Sequence, residues 1–390
     1  MTRHAITGTL LFDGTADAPR PGSTVIWSHG RIEWTGPDAE ADLAGAAVVD
    51  GGGTSLLPGL IDAHVHLCID PTISGVDDLA EEPIDAVVAR SIDSAARLLA
   101  AGVTTARDQG SRDGVAIGVA AAQRAGEITG SRIIAAGRGI TPTGGHGWMV
   151  GVEADGPEAI RSAVAAEIER GAEVIKLFPT GGVLGTGSHG FDVVFTMEEL
   201  VAACAEAHRH GVLVGAHIHG PQGIGMALDA GVDTIEHATG ITAEQAGRAA
   251  AAGVALVPTL TTVDVISDHR EELPEDLLAR ADEVGRFQAD GIRAAIGAGA
   301  RVLAGTDAGT PFNPPGLLVR EMRLLAGLGL GNAGAIAAAT SLTAETLRIE
   351  DRGVVAVGAH ADLLLVDGDP LADLGALEHP RMVVQDGAAV

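Results

Sequence analysis

Short strand-like runs alternate with alanine-rich helical stretches between about residues 60 and 310, and this alternation constrains the fold more than any other feature. Repeated βα units build a parallel sheet, and eight of them are the number that closes a (β/α)8 barrel, the TIM-barrel architecture. Helices are expected over 83–100, 156–170, 197–209 and 275–298. The eight predicted strands are 60–67, 103–109, 132–139, 173–179, 212–218, 233–237, 254–259 and 301–307.

The two ends of the chain have a different pattern. Residues 1–58 and 352–390 contain short alternating strands with turn glycines and prolines, and no long helix. We therefore predict an α/β protein in which the two ends form one small β-sandwich domain and residues 59–351 form the barrel. A length of 390 residues suits this division, because such barrels take roughly 250 residues or more.

Charge and composition exclude several classes of partner. The chain has 25 basic and 52 acidic residues, a net charge of −27, which should repel nucleic acid and anionic membranes. No signal-peptide pattern and no long apolar stretch occur, so we expect a cytoplasmic protein. We expect a homo-oligomer that acts on a small molecule. The two cysteines, Cys68 and Cys204, lack CxxC spacing, so a metal would need other ligands.

Lys176 is the only lysine of the chain, and the other 24 residues of the lysine and arginine group are arginine. Arginine stays protonated at any working pH, whereas a buried lysine can lose its proton and act as a nucleophile or become covalently modified. Position 176 is therefore expected to need an amine. The alternative is a structural lysine paired with a carboxylate.

Polar residues stand near the ends of five predicted strands, where a barrel of this kind has its active site. His64 and His66 point to the same face of the first strand because side chains alternate along a strand. Each histidine alone could be a hydrogen-bonded core residue, but burying so many polar groups is costly unless they are paired or coordinated. The later strands contribute Lys176, His217, His237 and Asp307.

Five motifs in this order resemble the amidohydrolase superfamily, in the branch of imidazolonepropionase-like proteins and Xaa-Pro or Xaa-Arg dipeptidases. The motifs are PGLIDAHVHL, VIKLFPTGG, GAHIHG, DTIEHATG and LAGTDAG. The resemblance implies two divalent metal ions, for which zinc is our expectation, although manganese or cobalt suits the same ligands. It implies that His64, His66 and Asp307 hold one ion and that His217 and His237 hold the other. Lys176, carboxylated by CO2, would bridge them, because a carbamate forms only from an unprotonated amine.

The same resemblance implies the chemistry. The two metals would generate a bridging hydroxide, and Asp307 would take the proton of the water and return it to the leaving amine. His146, in a glycine-rich loop, resembles a position that binds the substrate carbonyl, unless it is an exposed loop residue. His219 stands where relatives often have an aromatic hydroxyl, and this chain has no tyrosine. It either replaces that group as an oxyanion donor or merely begins a loop, and the departure puts prolidase activity in doubt.

Three further residues are candidates for binding a substrate carboxylate, because guanidinium groups suit carboxylates, although surface arginines are common. They are Arg107, Arg138 and His189. His189 lies in the glycine-rich segment 180–195, which lacks the GxxxxGK[ST] phosphate motif and is predicted to cover the substrate.

The sequence thus predicts a two-metal hydrolase that cleaves an amide bond of a dipeptide, an N-acyl amino acid or a cyclic amide. Esterase, lactonase or phosphotriesterase activity at the same site is the alternative. Heterocycle deamination is disfavoured, because single-metal deaminases usually lack the lysine and carry a glutamate where this chain has Gly220. A catalytically inactive scaffold is disfavoured because no ligand is missing.

Overall fold

Parallel strands occupy the middle of the chain, and a mixed sheet gathers the strands of its two ends. The computed structural model describes residues 3–15, 18–182, 190–273 and 275–390. The strands are β1 Arg3–Leu11, β2 Arg20–Ser28, β3 Arg31–Pro37, β4 Ala46–Asp50, β5 Thr54–Pro58, β6 Leu60–Val65, β7 Val103–Asp108, β8 Arg132–Ala135, β9 Gly139–Thr141, β10 Gly151–Glu153, β11 Val174–Leu177, β12 Leu213–His219, β13 Thr234–Thr239, β14 Ala255–Val257, β15 Leu363–Asp367, β16 Met382–Gln385 and β17 Ala388–Ala389.

The helices lie mainly between the parallel strands, and the four that the sequence predicts are present with nearly the expected bounds. Two of the helices begin with capping boxes, which satisfy free backbone N–H groups, at Thr196 and Thr242. The helices are α1 Gly75–Asp78, α2 Ile84–Ala100, α3 Val115–Arg124, α4 Pro157–Arg170, α5 Met197–Arg209, α6 Pro221–Ala230, α7 Ala243–Ala252, α8 Thr261–Asp264, α9 Glu275–Gly297, α10 Leu318–Leu325, α11 Gly331–Ala338 and α12 Ser341–Thr346.

The parallel strands form two sheets, with the orders β6-β7-β8 and β10-β9-β11-β12-β13-β14. Seven of the eight predicted strands are therefore present. The N–H of Glu173, just before β11, donates to the carbonyl of Ala135 in β8 over 2.9 Å and links the two sheets. Polar residues that the sequence analysis selects thus lie at the carboxyl ends of four parallel strands, β6, β11, β12 and β13.

The eighth predicted strand, 301–307, is not a regular strand, and this part of the prediction was wrong. Its backbone makes isolated parallel bridges to β14 and to the end of β6. The physical reason is that its backbone N–H groups donate to acceptors on several different elements and not to one neighbouring strand. Leu303 donates to the Leu256 carbonyl over 2.9 Å, whereas Thr306 donates to the Asp62 carboxylate over 3.0 Å. The hydrogen-bond ladder to β14 therefore ends before Asp307, since the N–H of Ala304 already donates to the Ala338 carbonyl over 2.9 Å.

One mixed sheet joins the two ends of the chain, in the order β17-β16-β15-β5-β1-β2-β3 with β4 beside β1. The C-terminal strands enter this sheet through β5, which pairs antiparallel with β15. A separate apolar cluster lies under this sheet and includes Trp27, Leu56, Leu363 and Val384. The side-chain amide of Gln385 donates to the Thr104 carbonyl over 2.8 Å and ties the sheet to β7.

No helix within the described ranges combines the length and the apolar composition that crossing a bilayer requires.

Candidate metal centre

Buried polar side chains meet at the carboxyl ends of the parallel strands. The backbone there adopts left-handed conformations that side chains rarely tolerate, with φ of 68° at His237, 53° at Thr259 and 58° at Asp307. Such strain usually persists where function requires it. Two groups of ligand atoms lie close enough together to hold metal ions, His64, His66 and Asp307 in one and His217, His219 and His237 in the other.

The first group places three acceptor atoms together. The Nδ1 of His64 donates to Glu236 over 2.8 Å, and the Nδ1 of His66 donates to the Gly110 carbonyl over 2.9 Å. With Nδ1 as the donor, Nε2 is the ring atom of each histidine that can bind a metal, and the Nε2 atoms lie 3.3 and 3.4 Å from the Asp307 Oδ1. Three lone pairs at this spacing repel one another, and a divalent cation among them would relieve the repulsion.

The second group has the same arrangement of donors and free lone pairs. The Nε2 of His217 donates to the Gly181 carbonyl over 3.1 Å, which leaves Nδ1 as its acceptor atom. The Nδ1 of His237 donates to the Thr259 hydroxyl over 2.7 Å, because that hydroxyl itself donates to the Pro258 carbonyl. Burial lowers the pKa of both imidazoles well below the usual value, so both are neutral, the form that binds metals.

His219 is the last residue of β12 and points into the same group, so it does not merely begin a loop. Its Nδ1 lies 2.9 Å from the Thr239 hydroxyl, and its ring stacks on that of His237 with centroids 4.9 Å apart. Burial lowers the pKa of His219 to about 3, which keeps the ring neutral. The sequence analysis expected a donor to the substrate here, and the geometry adds a third possible metal ligand.

Lys176 lies fully buried on β11 near both groups. Its Nζ has no hydrogen-bond partner among the described residues, and it lies 5.1 Å from the centre of the Phe178 ring. Burial lowers the pKa of the amine to about 8, so the unprotonated form is accessible near neutral pH. A buried amine without a partner costs free energy, which is relieved when the group is modified or coordinated. The two ligand groups beside this amine therefore have a donor set that fits metal ions.

A cavity of about 300 Å³ opens above these residues. His146 lines this cavity, and the centre of its ring lies 4.5 Å from that of His217. Burial lowers the pKa of His146 to about 4. The other side chains of the lining that the chemistry can use are His219, Thr239, Thr259, Thr262, Gln288 and Asp307.

Known proteins share this architecture across nearly the whole chain. The model of the amidohydrolase family matches residues 55–390. The chain belongs to the amidohydrolase family. Ochratoxinase from Aspergillus niger is 28% identical over 363 residues, which cover 84% of this chain and 73% of the relative. Imidazolonepropionase from Deinococcus deserti is 28% identical over 383 residues, which cover 90% and 87%.

A solved structure of a Xaa-Pro dipeptidase with bound methionine in its active site is similar to this amidohydrolase over its full length. The two are 30% identical with a TM-score of 0.91, and the match covers 100% of both chains. The predicted resemblance to imidazolonepropionase and to Xaa-Pro dipeptidases is confirmed, and this amidohydrolase is an enzyme of the hydrolase class.

Arg107 does not reach the cavity of the amidohydrolase, so its assignment to a substrate carboxylate is corrected. The guanidinium is 1% exposed and lies beneath the site, where it pairs with Glu236 over 2.9 Å and donates to the Ala63 carbonyl. Side chains alternate between the two faces of the sheet along β7, and this alternation directs Arg107 toward the buried core. Its role is to hold the Glu236 carboxylate that orients His64.

Arg138 is also absent from the described lining of the cavity. Its guanidinium donates to the buried Glu167 of α4 over 2.8 Å, so its charge is already paired. His189 lies outside the described residues, as do residues 183–188 of the 180–195 segment predicted to cover the substrate. Two of the three substrate candidates are thus engaged in pairs within the protein.

Sequence reasoning missed the residues that support the ligands. Glu236 precedes His237 in the DTIEHATG motif, and Asp62 opens the DAHVH sequence, yet neither received a role. Burial would raise the pKa of Glu236, but Arg107 and His64 lower it below its usual range, so the carboxylate is ionised. Burial raises the pKa of Asp62 to about 6, and this group holds Thr306 beside Asp307. A carboxylate inside a strand next to a metal ligand is the signal that could have identified both.

Proposed function

We propose that the chain hydrolyses an amide bond of a small substrate with the help of two divalent cations, for which zinc is the expected metal. The observation that carries the proposal is the convergence of unshared lone pairs from His64, His66 and Asp307 beside a second histidine group and an unpartnered Lys176. The donors on the far side of each ring fix these lone pairs toward the cavity.

The proposed ligand roles are those that the resemblance to the amidohydrolase superfamily implies. His64, His66 and Asp307 would hold one cation, His217 and His237 the other, and carboxylated Lys176 would contribute an oxygen to each. When bound, the cations lower the pKa of water and polarise the scissile carbonyl. Imidazole and carboxylate ligands suit zinc, manganese and cobalt.

Proton transfer falls to Asp307. Its Oδ1 faces His64 and His66, whereas its Oδ2 lies 3.4 Å from the Thr262 hydroxyl at the cavity wall. The carboxylate can therefore accept a proton from the attacking water on the cavity side and pass it to the leaving amine. His146 and His219, both neutral and at the wall, can donate a hydrogen bond to the oxygen of the scissile carbonyl as it gains charge.

We also propose that the two parallel sheets close into a (β/α)8 barrel, and that the terminal sheet folds around its apolar cluster as a sandwich. The Glu173 to Ala135 hydrogen bond supports closure on one side. On the other side, the segment 302–308 bridges β14 and the end of β6. A closed barrel would hold the ligands of different strands at fixed separations.

Metal analysis of protein purified without chelator, followed by hydrolysis of a library of dipeptides, N-acyl amino acids and neutral amides, tests this proposal. We expect near two metals per chain and turnover of an amide. His237→Asn should lose metal and activity, while His379→Asn, at an exposed histidine, should retain both. A chain that binds no metal even after zinc or manganese is added would contradict the proposal and support an inactive scaffold. Metal binding with turnover of esters alone would support the esterase alternative.

A further inference from the structure

The wall of the cavity away from the histidines is apolar. Ile73 and Val76 lie on one side, Val263 and Val284 on another, and Pro311 completes this part of the lining. Ile73 is 55% exposed, so its side chain is accessible to a ligand in the cavity. Apolar surface of this kind gains free energy when an apolar group of a ligand covers it.

Two exposed aromatic rings extend this wall. Phe191 is 43% exposed and lies 6.4 Å from the His219 ring, and Phe287 is 45% exposed and packs edge to face with Phe191 at 6.2 Å. Phe287 stands on α9 between Val284 and Gln288, both of which line the cavity. The chain has only six phenylalanines and no tyrosine, so two exposed rings beside one site point to an apolar ligand.

Among the described residues that line the cavity there is no arginine or lysine, and the buried Lys176 lies beneath it. The sequence of residues 183–189 contains neither residue type. Arg286 of α9 lines an adjacent groove together with Asp264 and Asp282. Asp77 is the one carboxylate of the described lining besides Asp307, and it is exposed at the mouth.

On the basis of the proposed amide hydrolysis, we propose that the substrate is an uncharged amide that carries an apolar group, and that Asp77 disfavours substrates with a carboxylate beside the scissile bond. A substrate carboxylate in this cavity would lose its hydration without gaining a guanidinium partner, and it would be repelled by Asp77. An uncharged amide has no charge to desolvate, and Asp77 does not repel it. The described lining therefore lacks a cationic side chain that would bind the carboxylate of a free dipeptide.

Three compounds with the same scissile bond test the proposal on the metal-loaded enzyme. N-acetylphenethylamine is neutral and aromatic, N-acetylphenylalanine adds a carboxylate, and N-acetylethylamine lacks the ring. We expect kcat/KM for N-acetylphenethylamine to exceed that for each of the other two compounds by at least about tenfold. N-acetylphenylalanine carries the unfavourable charge, and N-acetylethylamine lacks the apolar contact.

A matched pair of variants tests the role of Asp77. Asp77→Asn should raise the ratio of kcat/KM for N-acetylphenylalanine to that for N-acetylphenethylamine by a few fold at low salt, and less at high salt, where charges are screened. Asp78→Asn removes the neighbouring exposed carboxylate, which does not line the cavity, and should leave this ratio unchanged.

The outcomes separate the two proposals. Equal or faster hydrolysis of N-acetylphenylalanine would overturn the preference for uncharged substrates and leave amide hydrolysis intact. An unchanged ratio in Asp77→Asn would overturn the role of Asp77. If the metal-loaded enzyme hydrolysed no amide, both this inference and the proposed function would fail.

Discussion

Hydrogen bonds on the far side of each ring decide which nitrogen of a buried histidine faces the cavity. Glu236 and the Gly110 carbonyl fix the Nδ1–H of His64 and His66, and the Thr259 hydroxyl does the same for His237. Partners of this kind orient ligands and raise their basicity, and their loss commonly costs metal affinity. At the scale of single residues, the ligand groups therefore depend on hydrogen-bond partners that are not themselves ligands.

Lys176→Arg should fold but bind less than two metals per chain, because a guanidinium stays protonated and cannot form a carbamate. Metal analysis of the variant, with circular dichroism to verify folding, measures this. Growth with isotope-labelled CO2 should give a carbamate carbon signal in the native protein and none in the variant. Two metals and full turnover in Lys176→Arg would contradict the carbamate.

Glu236→Gln should destabilise the protein by about 3 kcal/mol, because it leaves the fully buried Arg107 guanidinium without its counter-charge. The free energy of unfolding in urea measures the change, and metal affinity should fall because His64 loses its partner. Asp229→Asn breaks the exposed pair with Arg248 and serves as the control, for which little change is expected. Equal effects of the two substitutions would contradict the supporting role of Glu236.

At the scale of elements, α10 supports the loop that follows β14. The carboxyl group of Glu321 in α10 accepts hydrogen bonds from the N–H groups of Leu260 and Thr261 over 3.1 and 2.8 Å. This loop also carries Thr259, beside His237, and Thr262, beside Asp307. A helix outside the cavity thus fixes the backbone that positions residues at both ligand groups.

Burial raises the pKa of Glu321 from 4.5 to about 8, which has a consequence for stability against pH. The folded state binds this proton more tightly than the unfolded state, so the contribution is fully present below about pH 4.5 and is lost as pH rises through about 8. The free energy of unfolding of Glu321→Gln should fall less over this window than that of the native protein. Equal slopes for the two proteins would show that Glu321 is already ionised when buried.

The loop after β11 offers a second test at this scale. A Cβ atom at Gly182 would lie 2.4 Å from the His146 ring, so Gly182→Ala should displace this ring and lower kcat about tenfold or more while both metals stay bound. Gly118→Ala, in α3 with open space around the position, is the control and should leave kcat unchanged. Full activity of Gly182→Ala would argue against a role for His146 at the carbonyl.

The sequence predicted the elements better than the contacts between them. His64, His66, Lys176 and Asp307 could be selected as candidates because they stand in recognisable motifs. The irregular segment that replaces the eighth strand could not, because the Asp62 carboxylate that competes for the Thr306 N–H lies far away in the chain. Arg107 was misassigned for the same reason, since its partner Glu236 becomes a neighbour only after folding.

At the scale of the whole molecule, the metal centre joins strands from both parallel sheets. His66 extends β6 of one sheet, while His217 and His237 belong to β12 and β13 of the other. Cations held between them would act as cross-links that exist only in the folded state. Stability and metal content should therefore be coupled.

Removal of the metals with a chelator should lower the unfolding temperature, since a ligand that binds only the folded state at about 100 times its Kd stabilises it by about 2.7 kcal/mol. Differential scanning calorimetry of the native and the chelated protein measures the shift, and re-addition of zinc should reverse it. An unfolding temperature that does not respond to chelation would mean that the ligand groups are held without metals.

The pairing of β5 with β15 imposes an order on biosynthesis. During translation β1 to β5 leave the ribosome first, and the partner of β5 follows only after the entire parallel-stranded region has been made. Until then β5 presents an open edge, to which a strand from another nascent chain could add. The last step of maturation is therefore the docking of β15 and β16, and a ribosome stalled within α12 would hold a chain with its ligand residues all synthesised and its terminal sheet unfinished.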